Sequence, residues 1–152
     1  MSAERFTLDT NVLVYAADRD AGERHERALE IIERAARRPC TLTVQALGEF
    51  FAATTRKGIV AGPEAGEQVR DWLELFPTAA ADAEALEAAV GAAVDGRLSF
   101  WDAMLLATAE RAGCTAVLSE DMGDGTSFGA VVVRNPFVRG SLPEHVAKLL
   151  GA

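Results

Sequence analysis

The chain has 152 residues, 49% hydrophobic and 25% charged, which suits one globular domain with a sizeable core and argues against disorder. Its net charge of −8 excludes a general nucleic-acid binder that works by bulk electrostatics, because such affinity comes from Lys and Arg neutralising phosphates. No stretch approaches the ~18–20 apolar residues that cross a bilayer, and no basic segment precedes an apolar run at the start, so the expected location is the cytoplasm with no membrane partner.

Residues 5–9, RFTLD, read as a short strand, and TNVLVYAA then takes up a helical period with Thr10 or Asn11 as a possible cap. Residues 22–38 carry an apolar stripe of Ala28, Ile31, Ile32 and Ala35 among charges, the pattern of a surface helix, and Pro39 ends it. CTLTV predicts a second strand, leading through Gln45 into a helix over ALGEFFAATTRKG that Gly58 closes. A helix follows between Pro63 and Pro77, and another runs from its cap Asp82 to Gly96. SFWDAMLLATAERAGC predicts a further helix, TAVLS and AVVV two buried strands, and LPEHVAKLLGA a last short helix. Short apolar strands alternating with longer helices predict an α/β sandwich with a mainly parallel sheet of four to five short strands. One domain is expected over 1–140, with 141–152 as its tail or final short helix. A binding crevice belongs beyond the carboxyl ends of the strands.

Charge is unevenly placed. Residues 61–130 hold thirteen acids and three bases, which makes the middle of the chain a place for cations. A nucleic-acid role would need metal bridging plus local bases, for which Arg19, Arg24, Arg27, Arg37, Arg38, Arg56, Lys57, Arg134 and Arg139 are available. Cys40 and Cys114 lack metal-ligand spacing and read as buried free thiols. His25 and His145 are isolated and read as surface residues, so no nucleophilic triad is indicated.

The carboxylates carry the chemistry. Asp9 stands between Phe6, Leu8 and the apolar VLVY run, where an unpaired carboxylate is costly to bury and needs a partner. Glu120 and Asp121 fall just past a second buried strand, with Asp124 close behind; in a parallel sheet they share the edge with Asp9, although DMGDG also reads as a solvated turn. Asp102 fits a capping box with Ser99, yet shares a stripe with Leu105, Leu106 and Ala109 that points to the core side, and the two roles can coexist. Glu49 lies among Ala46, Ala52 and Ala53, with Leu47, Phe50 and Phe51 as the expected apolar face. Carboxylates converging at one edge raise one another's pKa unless a cation neutralises them. Oxygen ligands without His or Cys select Mg²⁺ or Mn²⁺.

LDTNVLVYA, EFF with Glu49, FWDAMLLATAERAGC with Asp102, and LSEDM with Asp121 together resemble the PIN-domain ribonucleases, in particular the VapC-type toxins of bacterial toxin–antitoxin pairs. The resemblance covers about residues 6–138. It implies a PIN-like α/β/α sandwich and an acidic quartet of Asp9, Glu49, Asp102 and Asp121 that binds Mg²⁺ or Mn²⁺ for RNA cleavage. It also implies supporting roles for Thr10, Asn11 and Ser119, with Asp124 acidic only in some relatives. A homodimer, a VapB-like antitoxin and a structured tRNA or rRNA substrate would go with it. Trp101, beside Asp102, is expected in the core more than against a base. Two alternatives stand beside this reading. One is a phosphatase resembling the haloacid-dehalogenase superfamily, which would carry an acid where this chain has Asn11. The other is a catalytically inert PIN-like binding module.

Overall fold

In the computed structural model, which describes residues 3–152, the sheet is built around strand β1 (Phe6–Leu8). All three of its residues are fully buried, as a parallel strand covered on both faces requires. β1 pairs in parallel with β4 (Ala116–Leu118), and β4 with β6 (Val131–Arg134), while β5 (Ser127–Phe128) lies antiparallel beyond β6. On the other side of β1, a parallel bridge from Phe6 to Cys40 leads to β2 (Leu42–Thr43), which pairs in parallel with β3 (Thr78–Ala79).

The α/β class with a mainly parallel sheet is as expected, the main sheet having four strands in the order β1-β4-β6-β5; among the described residues two strands join the four that the sequence marks. The two extra ones, β3 and β5, are two residues each, too short to show any periodicity. β3 exists because Leu42 N donates to the Pro77 carbonyl at 2.9 Å, a pairing made by tertiary approach alone.

Helices flank the sheet: α1 (Thr10–Ala17), α2 (Glu23–Ala35), α3 (Val44–Arg56), α4 (Gly62–Leu75), α5 (Ala83–Val94), α6 (Phe100–Arg111) and α7 (Glu144–Leu149). α6 buries every residue from Ala103 to Ala109, so it is a central helix, apolar nearly all round. α5 packs on it through Ala85, Ala89 and Ala92, all buried; their methyl-sized side chains allow the two axes to approach closely. Asp82 joins the pair by accepting the Ala85 amide at 2.8 Å and Arg111 Nε at 2.6 Å. The Ala85 amide, followed by the Arg111 guanidinium, lowers the pKa of its carboxyl.

α7 inserts Val146 and Leu149 into the core, and Arg38 Nε caps its end on the Leu149 carbonyl at 3.1 Å. Glu110 of α6 accepts the Ala130 amide at 2.8 Å. That contact demands a glycine before it, because Gly129 has φ +55° and a Cβ there would collide with the Glu110 carboxylate.

Three expectations change. Phe51 is 42% exposed, and Trp101 is 62% exposed, so neither belongs to the core. His25 is half-buried, with Nδ1 2.9 Å from the Tyr15 carbonyl. Cys40 and Cys114 are buried and free, and burial pushes both thiols up, Cys114 to about 11. No helix among the described residues is long and apolar enough to cross a membrane.

Candidate functional site

The site begins at the register of two strands. Leu8 pairs with Leu118 and Leu118 with Arg134, so Asp9 and Ser119 emerge side by side at the carboxyl edge of the sheet. Their backbones remain laddered: Asp9 N donates to Leu118 O at 2.9 Å and Ser119 N to Arg134 O at 3.0 Å. Asp9 is the N-cap of α1, with Oδ1 accepting the Thr10 amide at 2.7 Å. A carboxylate there also meets the positive end of the helix dipole. Oδ2 accepts the Ser119 hydroxyl at 2.7 Å.

Asn11 ties this pair to a third residue. Its Nδ2 lies 3.3 Å from Asp9 Oδ2, 3.3 Å from Ser119 Oγ and 3.0 Å from Asp121 Oδ2. Since ionised carboxylates only accept hydrogen bonds, the amide must face them with its nitrogen. Ser119 Oγ in turn accepts the Asp121 amide at 3.1 Å, which fixes the start of the loop after β4. Four residues from two strand ends thus hold one another.

Glu49 enters from α3, whose cap Thr43 accepts the Ala46 amide at 3.0 Å. Its Oε2 accepts Thr10 Oγ1 at 3.3 Å and its Oε1 accepts Gln45 Nε2 at 2.6 Å. Gln45 Nε2 also donates to the Trp101 carbonyl at 2.9 Å, connecting α3 to the first turn of α6. Asp102 stands in that turn, its amide donating to the Ser99 hydroxyl at 3.4 Å, so its capping position is real. Its charge also reaches Asp9 and adds to the rise of that carboxyl's pKa.

Asp9 is 8% exposed, and its carboxyl is pushed up to about 6. Burial is the largest cause; the Ser119 and Thr10 hydrogen bonds pull the other way, and the charges of Asp102 and Asp121 add to the rise. Near neutral pH the edge therefore gathers negative charge that its own hydrogen bonds only partly offset. Two buried oxygens of the same network, Asn11 Oδ1 and Gln45 Oε1, receive no hydrogen bond.

Among the described residues, no group of three His, Cys, Asp or Glu side chains is arranged to hold a metal ion by itself. The donor set nonetheless fits a hard divalent cation, which needs only one or two carboxylates and keeps several waters. Asp9 and its two charged neighbours meet that requirement, and every polar group around them offers oxygen or an amide.

A sequence profile of the PIN domain family matches residues 6–123. The chain belongs to the PIN domain family. No curated protein matches it. Solved structures share the fold. The VapC20 toxin of Mycobacterium tuberculosis, described as cleaving the sarcin-ricin loop, is 20% identical, with a TM-score of 0.60 over 76% of this chain and 89% of that one. A toxin–antitoxin complex from Klebsiella pneumoniae is 21% identical, with a TM-score of 0.60 over 86% and 96% of the two chains. VapBC2 from Rickettsia felis, bound to a promoter DNA fragment, is 12% identical with a TM-score of 0.62 over 86% and 98%.

In this PIN domain the structure brings Asp9, Thr10, Asn11, Glu49, Ser119 and Asp121 into one hydrogen-bonded network, with Asp102 coupled through its charge. Asp124 stays outside it: its Oδ1 accepts the Asn135 amide at 2.9 Å, a tie between two loops. Glu120 is likewise turned away. Tyr15 donates to its Oε1 at 2.6 Å and Arg24 Nε to its Oε2 at 2.9 Å. Burial, then Glu120, pushes the Tyr15 phenol up to about 12. Gln45 is the residue that sequence reading missed. Its signal was the i, i+4 spacing to Glu49 on one helix face, which licenses a Gln–carboxylate contact.

Proposed function

We propose that this PIN domain is a Mg²⁺- or Mn²⁺-dependent endoribonuclease, the toxin of a toxin–antitoxin pair that cuts a structured tRNA or rRNA. The observation that carries the reading is the buried Asp9, raised to about 6 beside Asp102 and Asp121 at one sheet edge. Such an acid is mostly ionised at neutral pH although buried, and a bound cation would offset the cost of that buried charge. The similarity in fold to a sarcin-ricin loop cleaving toxin and to toxin–antitoxin complexes supports the same reading.

Asp9, Asp102 and Asp121 would hold the ion. When bound, a divalent cation supplies a polarised phosphate oxygen and an acidified water. The Ser119 hydroxyl and the Thr10 amide keep both Asp9 oxygens oriented, and Asn11 keeps Asp121 beside them. Glu49 is exposed and held from two sides, which suits it to take the proton of the attacking water at a carboxylate oxygen. With a sequence pI of about 4.8, the protein recognises its RNA by shape and splayed bases more than by bulk charge. The exposed ring of Trp101 is placed to stack on such a base. A VapB-like antitoxin and a second copy of the chain are its expected protein partners.

The phosphatase alternative loses its ground, because the position two residues after Asp9 is Asn11, whose amide donates to both neighbouring carboxylates. The inert-module alternative predicts no response to metal. Incubating the protein with total bacterial RNA and Mn²⁺, beside Asp102→Asn, tests the proposal: cleavage by wild type alone supports it, and equal cleavage by both contradicts it.

A further inference from the structure

Asp121 is exposed, and its charge opposes that of the buried Asp9 beside it. Like charges at one edge repel, so Asp121 needs a restraint to stay there. Its own side chain supplies little of one. Among the described residues its Oδ2 accepts only the Asn11 amide, at 3.0 Å, and that nitrogen also faces Asp9 Oδ2 and Ser119 Oγ, both at 3.3 Å. With two hydrogens for three acceptors, Asn11 cannot serve them all at once.

The preceding residue is gripped far more firmly. Tyr15 of α1 donates to Glu120 Oε1 at 2.6 Å, and Arg24 of α2 closes on both carboxylate oxygens, Nε at 3.1 and 2.9 Å and Nη2 at 2.8 Å. Such charge-assisted contacts are the stronger kind, and the Glu120 side chain is only 18% exposed. The two donors also hold each other. The Arg24 guanidinium lies over the Tyr15 ring, 5.8 Å from its centroid, and Phe137 meets the same ring edge-on at 5.0 Å. Asn11 and Tyr15 stand one turn apart on α1, so one helix face fixes two successive loop residues, Asp121 through Asn11 and Glu120 through Tyr15. On the far side of Asp121, Met122 is buried.

We propose that Glu120, clamped by Tyr15 and Arg24, is a positioning residue that keeps Asp121 against Asp9 at the acidic edge. It acts through the backbone that joins residues 120 and 121. Without the clamp, repulsion carries Asp121 outwards, and the edge loses a carboxylate for a divalent cation. That consequence rests on the metal-dependent reading, whereas the anchoring of Asp121 does not. The sign of one substitution separates the clamp from plain electrostatics. Removing Arg24 takes a positive charge away from the edge, which alone would tighten cation binding; loss of the clamp must weaken it. Tyr15→Phe removes one hydrogen bond, leaves the charge unchanged and keeps a ring against Phe137.

The test compares wild type, Arg24→Gln and Tyr15→Phe in two measurements on the full chain. Mn²⁺ binding is followed by the loss of the free-ion electron paramagnetic resonance signal, and the motion of the Asp121 amide by nitrogen relaxation in EDTA. The Mn²⁺ dissociation constant should rise about tenfold in Arg24→Gln and about fivefold in Tyr15→Phe. The order parameter of the Asp121 amide should fall from about 0.85 to about 0.6 in both, while that of Leu118 stays high. In an Asp121→Asn background, adding Arg24→Gln should no longer weaken Mn²⁺ binding, because the clamp then has no carboxylate to place. Tighter binding by Arg24→Gln, equal weakening in the Asp121→Asn background, or an unmoved Asp121 order parameter in both single variants overturns the proposal. Wild type that binds no Mn²⁺ contradicts the metal reading, and the order parameters then decide the anchor by themselves.

Discussion

The Ser119 hydroxyl donates to Asp9 Oδ2 at 2.7 Å and accepts the Asp121 amide at 3.1 Å, so one oxygen atom orients a buried acid and the loop bearing its neighbour. That hydrogen bond lowers the Asp9 pKa against the larger effect of burial. Ser119→Ala should therefore push Asp9 above its value of about 6 and leave Oδ2 with the Asn11 amide alone. The check is the pH at which Mn²⁺ begins to raise the melting temperature. It should move upward in the variant; an unmoved onset would show that Ser119 does not tune Asp9.

Asp9 itself makes a signed prediction about pH. Its folded pKa of about 6 lies above the ordinary 3.8, so the folded state prefers the protonated form. Without metal, the stability tied to that proton is fully present below about pH 4 and is lost as pH rises through about 6. Asp9→Asn removes the penalty. In EDTA it should be more stable than wild type at pH 8, by at most about 3 kcal/mol, and this advantage should shrink towards pH 4. Mn²⁺ should stabilise wild type but not the variant, since only a ligand favouring the folded state shifts the melt. Denaturant melts at the two pH values measure both effects.

Gln45 grips Glu49 and the Trp101 carbonyl with the same nitrogen. Gln45→Ala should leave Glu49 mobile and lower RNA cleavage roughly tenfold, the lower end of what loss of an outer-shell partner costs. Its melting temperature should change little, because Gln45 is only half-buried. Full activity in the variant would remove Gln45 from the machinery.

Gly129 is a control on the fold away from the site. Gly129→Ala must fit a Cβ where the Glu110 carboxylate stands, at φ +55°. It should lower stability by about 1–3 kcal/mol in a denaturant melt while leaving cleavage per folded molecule unchanged.

Much of this was legible in the sequence, for reasons that differ by residue. The carboxylate at Asp9 stood out because it interrupts an apolar run at a strand-to-helix change, and the ladder places it where that pattern implied. Asp121 was marked by its place at the end of a buried strand, and Asp102 by the stripe it shares with Leu105, Leu106 and Ala109 in spite of its capping position after Ser99. Trp101 misled because a large aromatic beside a buried helix usually packs inward, whereas its position in the first turn leaves the ring in solvent against Phe100, 4.8 Å between centroids. Spacing alone did not separate Glu120 from Asp121; the resemblance named Asp121, and the tertiary approach of Arg24 and Tyr15 turns Glu120 aside. β3 and β5 left no pattern because two residues hold no period.

A divalent ion held by the Asp9 cluster would make RNA cleavage depend on both the ion and the carboxylate. The most direct measurement is cleavage of one labelled structured RNA by wild type in EDTA, by wild type after Mn²⁺ is restored, and by Asp9→Asn with Mn²⁺. Cutting is expected only by wild type with Mn²⁺. Cleavage that survives EDTA, or that Asp9→Asn performs at the wild-type rate, would contradict it.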